Sequence, residues 1–183
     1  MCRRLSVVII VMVGSMTFMV LFALWMYQPR HAQSSDADAI VVLAGADDGR
    51  HQLGIDWGHT NQVRDVYLSN PDGPLEPKTF GLCRASDFDA IEVTCFTPVP
   101  PTTVGEALTV QGIAHESGWH SVVVVTNRPH SHRAEAIFEH CTDLSVEIEA
   151  TEWIDIPNVG RHLAREVAGA LKYWATQPCR DIS

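Results

Sequence analysis

Residues 122–134 read V-V-V-V-T-N-R-P-H-S-H-R-A. Four consecutive valines predict a strand buried on both faces, as in a parallel sheet covered by helices. The polar and basic residues that follow predict a helix over about 131–140. In an open α/β sheet, ligands bind at the carboxyl ends of the strands. Free N–H groups at the next helix start attract anions there, and His130 and Arg133 share a face at i and i+3. The stretch therefore indicates the fold class and the expected centre of action together.

Working outward, a continuous apolar run predicts a strand at 39–44, and further strands are expected at 65–69, 90–96 and 144–149. A helix is expected from Thr102 or Thr103, either of which can cap it, and Glu106 follows Thr103 at the spacing of a capping box. A last helix is expected over 159–174, with Leu163, Val167, Ala170, Leu171 and Trp174 on one stripe. Residues 50–64 read as poorly helical because Gly54 and Gly58 interrupt them. The proline-rich stretch 70–81 reads as loop. Strands alternating with helices predict a three-layer αβα, Rossmann-like sandwich with a mostly parallel sheet.

One transmembrane helix is expected ahead of that domain. Arg3 and Arg4 precede an uncharged run over 5–27, long enough to cross a bilayer, with Trp25 and Tyr27 at its far edge. No small-x-small cleavage site precedes Gln33, so an uncleaved anchor over 1–29 is expected, then a polar linker over 30–37 and one domain over 38–183. The two arginines before the run, against Arg30 alone after it, favour a cytoplasmic amino terminus and an extracytoplasmic domain, single-pass in the cell membrane.

Beyond residue 29 lie 11 of the 13 Lys and Arg residues and all 22 acidic ones. That acidity argues against nucleic acid, whose phosphates need a basic surface. Four of the five cysteines, Cys83, Cys95, Cys141 and Cys179, fall in the domain. An even count outside the membrane suggests two disulfides, with three pairings open, against the alternative of four buried thiols. A Cys83–Cys95 bridge would close the loop before a strand, and Cys141–Cys179 would tie late elements together. None of them has zinc-site spacing.

Thr126 and Asn127 end the valine strand and can donate hydrogen bonds to the same point as Arg133. Gly45 ends the first strand and permits close approach of a ligand, with Arg50 as a second cation. Thr103, Thr126 and Gly45 meet if their strands are adjacent. His130 is the candidate proton-transfer residue, and Glu106 the candidate base or orienting carboxylate. The plainer reading is that Thr126 and Asn127 only cap, while Arg133 pairs with a carboxylate such as Glu106. Asp47 and Asp48 could hold a divalent metal with Glu106, but carboxylates beside a glycine turn are commonly loop residues, and no metal site is expected. No G-x-G-x-x-G, Walker-type or G-x-S-x-G motif is present, and no cofactor is indicated.

These clusters, in this order, resemble the SanA, ElyC and YdcF-like family of bacterial envelope proteins. The opening D-A-I-V-V-L-A-G is similar to the family's D-A-I-V-V-L-G-G, with Ala44 in place of a glycine and Arg50 on the arginine that follows. Thr103, Glu106 and Ala107 match T-x-x-E-A, and V-V-T-N-R-P-H-S-H-R-A matches V-V-T-S-x-x-H-x-x-R-A, with Asn127 in place of serine. The family's glycine pair and serine–glutamate–alanine helix after the second strand are replaced here by a proline-rich loop and Cys83. Its acidic residue before T-x-x-E-A is absent from 96–102. The resemblance implies a Rossmann-like domain, often on one membrane helix, with a role in envelope or peptidoglycan biogenesis.

The expectation is thus a membrane-anchored envelope protein binding a small anionic or phosphate-bearing ligand, with envelope-biogenesis proteins as further partners. Two alternatives stand beside it. One is a non-catalytic scaffold or interaction protein, the other a hydrolase or transferase acting on a phosphate-bearing envelope precursor.

Overall fold

The valine run lies inside β4 (Ser121–Asn127), which pairs with β1 (Ala39–Val42) on one side and β5 (Ser145–Thr151) on the other. Beyond β1 come β2 (Asp65–Ser69) and β3 (Glu92–Phe96), giving a fully parallel sheet in the order β3-β2-β1-β4-β5. The computed structural model describes residues 2–33, 36–45, 47–85, 88, 90–152 and 154–179. Among the described residues six α-helices accompany the sheet: α1 (Cys2–Met26), α2 (Arg50–Asn61), α3 (Pro77–Leu82), α4 (Thr103–Ser117), α5 (Arg128–Cys141) and α6 (Val159–Thr176). Short 3-10 turns occupy Gly73–Leu75 and Ile156–Asn158.

Alternation along the strands builds two cores. Val41, Leu43, Val122 and Val124 face α4 and α5 through Ala107, Val110, Ile137 and Phe138. Ile40, Val42, Val123 and Val125 face the other way, against Leu53 and Trp57 of α2 and Leu82 near the end of α3. Strand order reverses between β1 and β4, which puts a crevice at their carboxyl ends.

Three local expectations need correction. Residues 50–61 are helical, because Gly54 and Gly58 are not breakers but points of close approach to the sheet. A Cβ on Gly54 would run into Val42, and one on Gly58 would sit 3.1 Å from the Val63 carbonyl oxygen. We expect Gly54→Ala to destabilise the fold by about 1–3 kcal/mol despite alanine's better helix propensity. Gly112→Ala in α4, where the added methyl meets nothing within 4 Å, should instead stabilise it by roughly 0.5–1 kcal/mol; paired urea titrations check the opposite signs. Within the expected 70–81 loop, Pro77 opens the short helix α3, proline being favoured in a first turn. At α4 the cap is Thr102, whose hydroxyl accepts from the Gly105 N–H, so Thr103 and Glu106 form no capping box.

Both disulfides form, Cys83–Cys95 and Cys141–Cys179, with Cα atoms 5.5 and 5.2 Å apart. The first ties the end of α3 to β3, the second the end of α5 to the turn after α6.

Helix α1 contains an 18-residue stretch, Ile9–Met26, long and apolar enough to cross a membrane. Its last turn packs on the domain. Met26 is buried, and the Trp25 ring stacks on His132 with centroids 3.9 Å apart. His132, which reads from sequence as a solvated neighbour, is half-buried there; its Nδ1 accepts from Arg30, and its Nε2–H donates to the Trp25 carbonyl. Ser34 and Ser35 of the expected linker lie outside the described residues. Residues 30–33 run along β5: the Arg30 carbonyl accepts from Ala150 N–H, Glu149 accepts from the Ala32 N–H, and Glu147 from the Gln33 N–H. Arg30 also forks onto Glu135 of α5.

Helix α6 forms as expected, but its apolar stripe stays outside the core. Glu166 and Tyr173 are its buried residues, whereas Leu171 is 66% and Trp174 68% exposed.

Candidate functional site

The chain makes a tight exit at the carboxyl end of β1. Gly45 has φ 147°, a conformation L side chains rarely adopt, and a Cβ there would come within 2.7 Å of Arg50 Nη1. Arg50, in the first turn of α2, folds back under this turn. Its Nη1 donates to the carbonyls of Leu43 (3.3 Å) and Ala44 (2.8 Å), and its Nε and Nη2 form a fork onto Asp48 at 2.8 and 2.5 Å. Both partners are buried. Burial opposes ionisation of Asp48, but the Arg50 fork and charge, with Asn127, outweigh it and hold the carboxyl below its usual range.

Asn127 ends β4 and does two structural jobs. Its Oδ1 caps α5 by accepting from the His130 N–H at 3.1 Å, and its Nδ2 donates to Asp48 at 3.2 Å. With Pro129 in the first turn, this cap starts α5 at Arg128, three residues before the expected Ser131. Thr126 is fully buried, and its hydroxyl has no hydrogen-bond partner among the described residues.

His130 and Arg133 converge on Glu166 of α6. The carboxylate only accepts, so His130 Nδ1 carries the proton and donates to it at 3.0 Å; Nε2 then accepts from the Thr103 hydroxyl at 3.3 Å. Arg133 reaches Glu166 through Nε at 2.7 Å and Nη2 at 3.3 Å. Burial, opposed in part by Glu166, pushes His130 below its ordinary range, so the ring is neutral near pH 7. For Glu166, burial is outweighed by the bond from His130, by the charge that ring carries once protonated, and by the bond and charge of Arg133, and its pKa falls to about 2.

Glu106 stands between the two clusters. One carboxyl oxygen accepts from the Ala44 N–H at 2.8 Å. Burial raises its pKa, and that bond with the charges of Arg50 and Arg133 offsets the rise only in part. Glu106, Thr103 and Gly45 line a cleft of about 290 Å³ whose wall also holds Asp72 and Glu76 and, among the described residues, no Lys or Arg. Arg50, Thr126, Asn127 and His130 do not line it, and Arg133 opens instead onto a cavity between α1 and α6. Asp47 and Asp48, the metal alternative, pair with Lys78 and Arg50.

No family model matches this chain, and no curated protein matches it. All eight candidate residues gather around the carboxyl ends of β1 and β4, but not on one cavity. Two residues essential to the arrangement are not singled out by sequence in their roles, Asp48 as the partner of Arg50 and Glu166 as the acceptor for His130 and Arg133. A signal for Glu166 does exist: it is the only acidic residue in α6.

Proposed function

We propose that this chain is a single-pass membrane protein whose α/β domain works as a non-catalytic envelope scaffold or interaction module. One observation carries the reading: the cations that would hold an anion are already committed inside the protein, Arg50 to Asp48 and Arg133 to Glu166. The acidic wall of the cleft supports it, since a phosphate would meet carboxylates there and, among the described residues, no lining Lys or Arg. The apolar length of α1 supports the anchor, and two disulfides support placement of the domain in an oxidising compartment outside the cytoplasm. The gathering of Arg50, Glu106, Thr126, His130 and Arg133 at one sheet edge supports descent from the SanA, ElyC and YdcF-like proteins, with a role in envelope or peptidoglycan biogenesis.

A second reading, a ligand-binding or group-transfer site, is favoured by Glu106. A buried carboxyl of raised pKa beside Gly45 and Thr103 is suited to proton transfer in a cleft. Thermal melts of the full chain in detergent separate the two. On the scaffold reading, Arg133→Ala and His130→Ala each lower Tm by roughly 5–10 °C, the loss expected from breaking a buried pair in a domain of this size. Ten-millimolar inorganic phosphate or a nucleoside diphosphate then leaves the wild-type Tm unmoved. Near-native melting of both variants, with a ligand-dependent rise in wild type that they lose, would install the second reading.

A further inference from the structure

We propose that α6 lies on the surface of the bilayer that α1 enters, as a second, peripheral membrane contact of the domain. The inference rests on reading α1 as membrane-spanning. Its first ground is continuity. The apolar stripe of α6 is exposed at Val167, Leu171 and Trp174, and these residues share the walls of a cavity of about 340 Å³ with Phe22, Trp25 and Met26 of α1. Phe22 belongs to the apolar stretch Ile9–Met26, about one helical turn, roughly 6 Å, before its end. A side chain sharing a cavity with Phe22 is therefore at the level of the headgroups, where tryptophan is favoured.

The second ground is charge. Arg161, Arg165 and Lys172 recur at i, i+4 and i+11 on one exposed face of α6, whereas its only acidic residue, Glu166, is buried. In a chain of formal charge −9 this helix presents three positive charges and no exposed negative one; Arg165 reaches the buried Glu166 at 3.5 Å through Nε, yet its side chain stays 62% exposed beside Arg161 and Lys172. Between the basic row and the apolar stripe, opposite the buried Glu166 and Tyr173, run the exposed alanines Ala164, Ala168 and Ala175. An apolar stripe on the α1 side, a small uncharged line, and a basic row beyond it form the layout of an interfacial helix on anionic lipid.

The third ground is attachment. Glu166 ties α6 to α5 through His130 and Arg133, and the Cys141–Cys179 bridge holds its far end. The exposed stripe is thus a fixed face of the domain and not a frayed terminus.

Photocrosslinking tests the proposal on the full chain in vesicles of phosphatidylethanolamine and phosphatidylglycerol. p-Benzoylphenylalanine is placed singly at Phe18 in α1, at Leu171, or at the exposed Arg64 beside the amino end of β2. Lipid adducts are expected at 18 and 171 and not at 64. An adduct at 18 without one at 171 overturns the docking of α6 and leaves α1 in the membrane; no adduct at 18 overturns the membrane reading and the proposal with it. Crosslinking from 171 to a second copy, in place of lipid, also overturns it. Exchanging phosphatidylglycerol for phosphatidylcholine should lower the yield at 171 several-fold and leave that at 18 unchanged. Equal yields at 171 in both lipids overturn the role given to the basic row.

Discussion

Arg50→Ala will destabilise the domain by about 3–5 kcal/mol, the cost of leaving one member of a buried ion pair without its partner. Arg50 is 2% exposed, and its guanidinium satisfies both oxygens of Asp48 and the carbonyls of Leu43 and Ala44. Alanine removes all of these at once and leaves a buried carboxylate with only Asn127 and the Arg50 backbone N–H to serve it. Arg50→Lys should recover little, because an ammonium cannot reproduce the planar fork. The discriminating measurement is a double-mutant cycle by urea denaturation. Asp48→Ala/Arg50→Ala should be more stable than Arg50→Ala alone, because the stranded charge is gone. If Arg50→Ala unfolds at the same urea concentration as wild type, Arg50 is free for another role, and the scaffold reading loses its main support.

Glu166→Gln is the second large effect, and it depends on pH. Its carboxyl lies at about 2 in the folded protein, against an ordinary 4.5. A depressed acid stabilises the fold above its unfolded pKa and loses that contribution as pH falls through its folded one. Here the contribution is at most on the order of 3 kcal/mol, because part of the shift comes from His130 only once it is protonated; it is present above about pH 4.5 and lost between there and about pH 2. His130 acts in the same sense at higher pH. Burial lowers its folded pKa below the ordinary 6.5, so the unfolded chain takes up its proton first as pH drops below that value. Stability should therefore start to fall below pH 6.5, before Glu166 titrates. By calorimetry at pH 7, Glu166→Gln should melt roughly 6–12 °C below wild type, the gap narrowing between pH 4.5 and 2. A gap that stays constant down to pH 2 would mean that the carboxylate charge contributes nothing.

The central strands were legible because a parallel strand buried on both faces leaves an uninterrupted apolar run, and 39–44 and 122–125 are such runs. Helix α2 was not, because glycine carries two opposite meanings. Gly54 and Gly58 read as interruptions, but at those positions the missing side chain lets the helix approach β1 and β2. Asn127 as cap and Pro129 in the first turn start α5 at Arg128, three residues earlier than expected, but the meeting of β4 and α5 was legible in its polar residues. Their partners were not. Glu166 follows Arg133 by 33 residues, and no local pattern records that pairing. The α6 stripe shows a similar limit: a 3.6-residue period declares an apolar face without saying whether protein or something else covers it.

The segment after α1 is tethered, not slack. It leaves α1 beside the carboxyl end of β5 and runs back along that strand, Arg30 against Ala150, Ala32 against Glu149 and Gln33 against Glu147. The carboxyl edge of the sheet, and with it the cleft beside Gly45 and Thr103, is therefore turned toward the side from which α1 arrives. With α1 in a bilayer, the protein would have almost no reach and little headroom. Its clientele would be restricted to molecules carried in or on the same membrane, delivered by lateral diffusion and not sampled from the surrounding fluid.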